Sequence, residues 1–247
     1  MSYSAFARYY DCLTRNVDYA ARADYFCAAL ECLRHRPGLT LDLACGTGSL
    51  TLELAKRGFD VFGLDASPEM LSAAQRKTAA AGFRPLLICQ KMQEMDLYAP
   101  VDTMVCMLDS INHLTAAADV RQTFRRAARF LNPGGCLLFD ANTRYKHRFV
   151  LADRTYVYDM EEVYCVWRNT RAERNGRVGI SLDFFERRGN VYVRSFERFY
   201  ERAYPIRTLV SMLEGAGLEP AAVWRDGEFR VPGPRTERIV VAARKPA

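Results

Sequence analysis

Residues 41–48 read Leu-Asp-Leu-Ala-Cys-Gly-Thr-Gly and pass from an apolar run straight into a stretch with helical spacing. Gly46 and Gly48 carry no Cβ, so the backbone can turn sharply there and a ligand can lie against it. The helix that follows offers unpaired N–H groups to a negative group. Asp65 stands 19 residues beyond Gly46, at the end of the next apolar run, where a carboxylate suits the two hydroxyls of a ribose. By itself Asp65 could equally cap a helix; its pairing with the glycine turn favours a ligand. The turn departs from the dinucleotide pattern Gly-x-Gly-x-x-Gly, because Thr occupies position 51. The missing glycine is the one that permits close helix–strand packing beneath a pyrophosphate. An adenosine-type ligand without a diphosphate is therefore expected.

The other reactive side chains argue against further chemistry. Eight cysteines are scattered with no Cys-x-x-Cys, and only three histidines are present, at 35, 113 and 147. No spacing suits a metal or a disulfide framework, so neither is expected. Cys45, Cys89, Cys106 and Cys136 each adjoin an apolar run and read as small core residues. The formal net charge of +6 divides into +3 on either side of residue 150. A surface that tracks phosphates would concentrate it, and the one visible cluster, Arg121, Arg125, Arg126 and Arg129, reads as a solvated helix face. Nucleic acid is accordingly not the expected partner.

The chain has 247 residues, 49% apolar and 26% charged, which is ordinary globular composition. Apolar runs such as 104–108 are far shorter than the ~20 residues of a bilayer-spanning helix. The N-terminus, Met1 to Arg8, has no apolar segment behind its first charge and so no secretory leader. A cytoplasmic location without membrane attachment is expected. The sequence carries no signal for the oligomeric state.

The elements that would hold the glycine turn follow from alternation. A helix is predicted over residues 17–34, ending before Pro37-Gly38. Short apolar strands at 39–45, 61–64, 86–89, 103–108 and 136–140 then alternate with helices at 49–57, 68–81 and 117–131. Ser67 supplies an N-cap with Pro68 at the first helical position, and Asn132-Pro133-Gly134-Gly135 forms a turn before the fifth strand. This is the pattern of an open, doubly wound, mostly parallel α/β sheet covered on both faces. Between 155 and 202 apolar residues recur with period two, and turns fall at Asn175-Gly176 and Gly189-Asn190. That stretch predicts an antiparallel insertion. A helix over 206–214 and strands near 221–224 and 239–243 complete the main sheet.

Asp42-x-x-Cys45-Gly46-Thr47-Gly48, followed by Gly63-Leu64-Asp65-Ala66-Ser67-Pro68-Glu69-Met70-Leu71, resembles the first two motifs of class I S-adenosylmethionine-dependent methyltransferases. Asn132-Pro133-Gly134-Gly135 matches the turn before that superfamily's fifth strand. Tyr10-Asp11-x-Leu13-Thr14 with Val17-Asp18-Tyr19, Asp109 to Leu114, and Asp140-Ala141-Asn142-Thr143-x-Tyr145-Lys146 resemble a bacterial subfamily of small methyltransferases with a β-sheet insertion after strand 5. The resemblance implies a seven-stranded Rossmann-like sheet and S-adenosylmethionine as cofactor.

It also implies roles for particular residues. Ala44, Cys45, Gly46 and Gly48 would meet the methionine end of the cofactor, with Asp42 tuning that loop or reaching the amine through water. Asp65 would take the ribose diol, and Ala66 and Met70 would flank the adenine. Lys91-Met92 departs from the acidic residue often found after strand 3, leaving Met92 and Gln93 as the expected adenine contacts. Leu108 and Asp109 would border the sulfonium. Tyr10 and Tyr19, on an N-terminal lid, are candidates to face it, where a ring is worth about 0.5–2 kcal/mol; equally, they could pack the first helix on the sheet.

Methyl transfer is an in-line displacement that needs orientation and exclusion of water. A base is needed only when the acceptor must lose a proton. His113 is the candidate, with Asp109 as runner-up. The expected domains are 1–142 plus 203–247 for the cofactor-binding unit, and 143–202 as the insertion that caps the acceptor. The expected activity is methyl transfer to the amine or hydroxyl of a small or medium-sized acceptor. A methyltransferase for RNA or protein, and a non-catalytic nucleoside-binding protein, are the alternatives.

Overall fold

The computed structural model describes residues 4–247, so residues 1–3, where the N-terminal reading begins, lie outside the described residues. Two helices, α1 (Ser4–Leu13) and α2 (Tyr19–Cys32), precede the first strand. There follow β1 (Leu39–Leu43), α3 (Ser49–Lys56), β2 (Asp60–Asp65), α4 (Pro68–Ala80), β3 (Leu87–Cys89), β4 (Val101–Cys106), α5 (Ala117–Phe130) and β5 (Leu131–Asn142). Strands β6 (Thr155–Asp159), β7 (Val163–Asn169), β8 (Arg177–Arg188) and β9 (Val191–Arg202) come next. The chain ends with α6 (Ile206–Glu214), β10 (Glu219–Arg225) and β11 (Arg238–Arg244).

Seven strands form the main sheet in the order β10-β11-β5-β4-β1-β2-β3. Neighbours from β5 to β3 are parallel, and β11 runs antiparallel to both β5 and β10. Strands β1, β4 and β5 are apolar at successive positions because both their faces are covered. One face carries Phe124 of α5 and Leu209 and Leu213 of α6 against Leu41, Met104 and Phe139. The other carries Phe26 and Leu30 of α2 and Leu54 of α3 against Val105 and Leu138. Burial of a ring such as Phe124 or Phe139 contributes about 2–3 kcal/mol.

Strands β6 to β9 form a separate antiparallel sheet in chain order. Its inner face packs on α1, with Phe6, Tyr9 and Leu13 against Cys165, Leu182, Phe184 and Phe199. Gly176 and Gly189, in the two turns predicted from the sequence, have positive φ. The sheet thus lies over α1, and α1 lies over the carboxyl edge of the main sheet.

Three details differ from the sequence reading. The N-terminal lid is a helix of its own, α1, set apart from the helix predicted over 17–34, and Phe6, Tyr9, Tyr10 and Leu13 carry its helical spacing. Strand β5 begins at Leu131, not Cys136: Leu131 pairs with Val101 before the Asn-Pro-Gly-Gly turn, and the ladder resumes with Cys136 opposite Thr103. Cys89 is exposed, unlike the buried Cys45, Cys106 and Cys136, because β3 is a three-residue edge strand. All eight cysteines are free.

Candidate active site

The carboxyl ends of β1, β2 and β4 open onto a cavity of about 460 Å³, roofed by Phe6 and Tyr10 of α1. Backbone strain is concentrated around it. Ala44 after β1 (φ +62°) and Leu108 and Asp109 after β4 (φ +57° and +53°) are three of the five non-glycine residues with positive φ among the described residues. Such conformations cost of order 1–3 kcal/mol each and persist where the surroundings over-determine them.

The glycine turn and Asp65 are joined directly. Asp65 Oδ2 accepts the Gly46 amide at 2.8 Å, and Oδ1 accepts the Ser67 amide at 2.9 Å. Burial raises the Asp65 carboxyl above the usual range, against the opposing effect of these two amides. A Cβ built on Gly46 (φ +55°) would meet no protein atom within 4 Å, whereas one on Gly48 (φ +73°) would sit 2.9 Å from Ala74 Cβ of α4. Gly46 therefore opens a cradle on the cavity, and Gly48 permits helix packing.

Asp42 lies behind the turn. It is buried and accepts the Thr51 hydroxyl at 2.6 Å. Burial pushes its carboxyl up to about 7; the Thr51 bond opposes the rise and nearby Asp65 adds to it. Thr51, which stands where a dinucleotide fold has glycine, thus satisfies a buried acid. The Cys45 side chain turns under β2 against Gly63.

Helix α1 is tied to the turn by a polar cluster absent from the sequence reading. Thr47 donates to Asp11 at 2.7 Å, and Lys77 of α4 donates to both Asp11 and Thr47, at 2.8 and 3.0 Å. This holds Tyr10 over the cavity. Burial raises the Tyr10 phenol well above its usual range, assisted by Tyr19 and by Asp109. The Tyr19 hydroxyl lies 3.5 Å from Thr14 Oγ1.

Behind the far wall, Asp109 lies partly buried in a charge cluster. Arg238 of β11 donates to Asp109 at 2.7 Å and to Asp140 of β5 at 2.9 Å, and Asn142 donates to Asp109 at 2.7 Å. Asp140 in turn accepts the amides of Leu108 and Asp109 at 3.0 and 2.5 Å, which fixes the strained turn. Burial alone would raise the Asp109 carboxyl, but Arg238, Lys146 and His113 hold it below the usual range. For Asp140 burial prevails over Arg238 and its carboxyl is raised. Arg238 and Asp140 were missed as partners because the bond depends on β11 lying beside β5.

His113 lines the cavity and stacks on Phe199 at 5.3 Å between ring centres. Its Nε2 is 3.9 Å from Glu201 Oε1, and the other oxygen of Glu201 is 3.2 Å from Nε2 of the buried His147. Glu201 is buried on β9. Its signal in the sequence was an acid at the same parity as Phe199. The adjacent Asn112 donates to the carbonyls of Asn142 and Arg202, at 3.1 and 3.0 Å, and accepts the Asn142 amide at 2.9 Å.

Of the residues predicted for the site, Tyr10, Ala44, Gly46, Asp65, Ala66, Met70, Met92, Gln93, Leu108 and His113 line this one cavity. Tyr19, Asp42, Cys45, Gly48 and Asp109 are not on its wall; they stand behind the lining. Leu108 also borders a second cavity of about 690 Å³, reached between residues 16–25 and the β10–β11 connection and lined by Lys146 and Glu237. Among the described residues no group of three or more His, Cys, Asp or Glu could hold a metal ion, and no helix is long and apolar enough to cross a membrane. The open cradle at Gly46, the carboxylate of Asp65 and the apolar walls at Ala66, Met70 and Met92 fit a nucleoside cofactor with a charged tail.

Residues 40–135 match the family model described as a methyltransferase domain. A provisionally named methyltransferase of Bacillus subtilis (strain 168), YqeM, is 33% identical over 99% of this chain and 98% of its own. The crystal structure of an S-adenosylmethionine-dependent methyltransferase from Clostridium acetobutylicum ATCC 824 superposes with a TM-score of 0.87 at 32% identity, covering 99% of both chains. Glycine/sarcosine N-methyltransferase of Halorhodospira halochloris is 32% identical over 50% of this chain and 48% of its own.

Proposed function

The chain belongs to the class I S-adenosylmethionine-dependent methyltransferases, and on that premise we propose that it methylates an amine or hydroxyl of a small or medium-sized acceptor. It is an enzyme, so the non-catalytic alternative is set aside. The observation that carries the proposal is the cavity at the end of β1, β2 and β4, with Phe6 and Tyr10 of α1 on one side and His113 on its wall. Bound S-adenosylmethionine supplies an already activated methyl group, so the protein's task is to orient and to exclude water.

In this reading the backbone from Ala44 to Gly46 receives the methionine end, and Asp65 takes the ribose diol. Ala66, Met70, Met92 and Gln93 hold the adenine. Tyr10 closes the sulfonium side from α1, with Tyr19 of α2 behind it. The 143–202 insertion acts as the acceptor cap, and the cavity beside Leu108 is the acceptor's approach. His113 accepts the acceptor's proton, its imidazole held between the Phe199 ring and the Glu201 carboxylate. Asp109 is a positioning residue, because both its oxygens are engaged by Arg238 and Asn142. The partial likeness to glycine/sarcosine N-methyltransferase supports an acceptor of modest size.

The test is formation of S-adenosylhomocysteine by the purified protein, with pools of low-molecular-weight amines and alcohols set beside bulk RNA and denatured protein. Turnover with a small pool, lost in His113→Gln, is the expected result. Turnover confined to RNA or protein overturns the assignment.

A further inference from the structure

Apart from Arg188 at the end of β8, beside Glu186, the insertion sheet sorts its charges on β8 and β9 between its two faces. On β8 and β9 the acids Glu186, Glu197 and Glu201 share the parity of Phe184 and Phe199 and turn toward the body of the protein. The opposite parity carries arginines: Arg187, Arg194 and Arg198 on these strands and Arg168 on β7, all exposed, with Arg177 and Arg202 at the base. The acids of that outer face are Asp159 and Asp183. Asp183 is buried beneath the guanidinium groups of Arg168 and Arg194, which it ties down against the sheet.

Aromatic rings stand between the arginines. Tyr192 is 62% exposed, Phe196 52% and Tyr164 38%, and Tyr164 and Phe185 meet edge to face at 6.4 Å. Arg198 lies over the Tyr200 ring at 5.3 Å. Exposed rings interleaved with arginines offer stacking surfaces beside positive charge. The local charge is what the even split of +6 along the chain conceals, since alternation along the strands places the arginines on one side.

We infer that this outer face binds a single-stranded nucleic acid, with phosphates on the arginines and bases stacked on Tyr192, Phe196 and Tyr164. Flat rings accept bases of any identity, and guanidinium groups supply both charge and stacking. A second copy of the chain docked face to face would oppose arginine to arginine, so charge complementarity favours a polyanion. The face lies on the side of the sheet away from the cofactor cavity. The binding therefore stands independently of which acceptor is methylated.

The test is fluorescence anisotropy of a labelled oligouridylate about twelve nucleotides long, titrated with the full chain at several salt concentrations. Affinity is expected to fall as salt rises. The double variant Tyr192→Ala, Phe196→Ala should weaken binding by roughly ten-fold or more. The double variant Arg187→Ala, Arg198→Ala should also reduce the slope of log affinity against log salt by about 1.4. Unchanged S-adenosylmethionine affinity and circular dichroism establish that each variant is folded. Absence of binding at low salt overturns the inference, as does binding that both variants leave intact but Arg121→Ala with Arg125→Ala abolishes. A dimer seen by light scattering and broken by the same face variants, without oligonucleotide binding, identifies a second copy as the occupant and equally overturns it.

Discussion

Asp65 accepts the amide of Gly46 at 2.8 Å, so the end of β2 grips the turn that leaves β1. One carboxylate thus shapes the glycine turn and faces the cavity. Asp65→Ala removes a charge-assisted acceptor worth about 1.5–3 kcal/mol, and calorimetry should record a loss of S-adenosylmethionine affinity of roughly ten- to a hundred-fold. Unchanged affinity would remove Asp65 from the cofactor site.

The two glycines of the turn should fail differently. Gly46→Ala places a methyl group where no protein atom stands within 4 Å, so cofactor affinity should fall more than stability. Gly48→Ala drives a Cβ to 2.9 Å from Ala74, and thermal unfolding should register a loss of about 1–3 kcal/mol. The reverse ranking would show that the cradle is at Gly48.

Asp42 makes a pH-dependent contribution of known sign. Its folded carboxyl, at about 7, holds a proton that the unfolded chain has released above about pH 3.9. Stability from this group is complete below that value and is lost as pH rises through 7. Asp42→Asn keeps an acceptor for Thr51 but cannot titrate. Its denaturant-derived stability should gain about 2 kcal/mol relative to wild type between about pH 5 and pH 8; parallel curves would refute this.

Arg238 pairs at once with the buried Asp140 and the partly buried Asp109. Arg238→Met leaves Asp109 and Asp140 without their ion-pair partner, and removing one partner from a buried ion pair costs about 3–5 kcal/mol. The paired variant Arg238→Met, Asp109→Asn should recover part of that loss in urea unfolding. No recovery would mean that the arginine acts by packing alone.

His113→Gln should lower kcat/KM by about 10²–10⁴-fold for an acceptor that must lose a proton. Cofactor affinity should hold in the variant. An acceptor turned over at full rate by the variant would dispense with a base.

Legibility in the sequence followed the range of the interactions. The glycine turn, Asp65 and the Ser67 cap are local, and all were readable from spacing. Period two marked the insertion, although parity, which sends Glu201 inward and Arg198 outward, was not used to separate its faces. The Arg238 bond to Asp109 joins positions 129 apart and needs the strand order to be seen. Helix α1 is legible as a lid and in its spacing, but its anchor through Asp11 and Lys77 spans 66 residues.

Asn112 binds the carbonyls of Asn142 and Arg202, the points where the chain leaves the main sheet and comes back. One amide therefore staples both stalks of the insertion, and its chain neighbour is His113. A transplant of the insertion between relatives should be cut outside these two carbonyls and should carry Asn112 with it. A cut inside them would free the graft to rock, and the imidazole would drift with it.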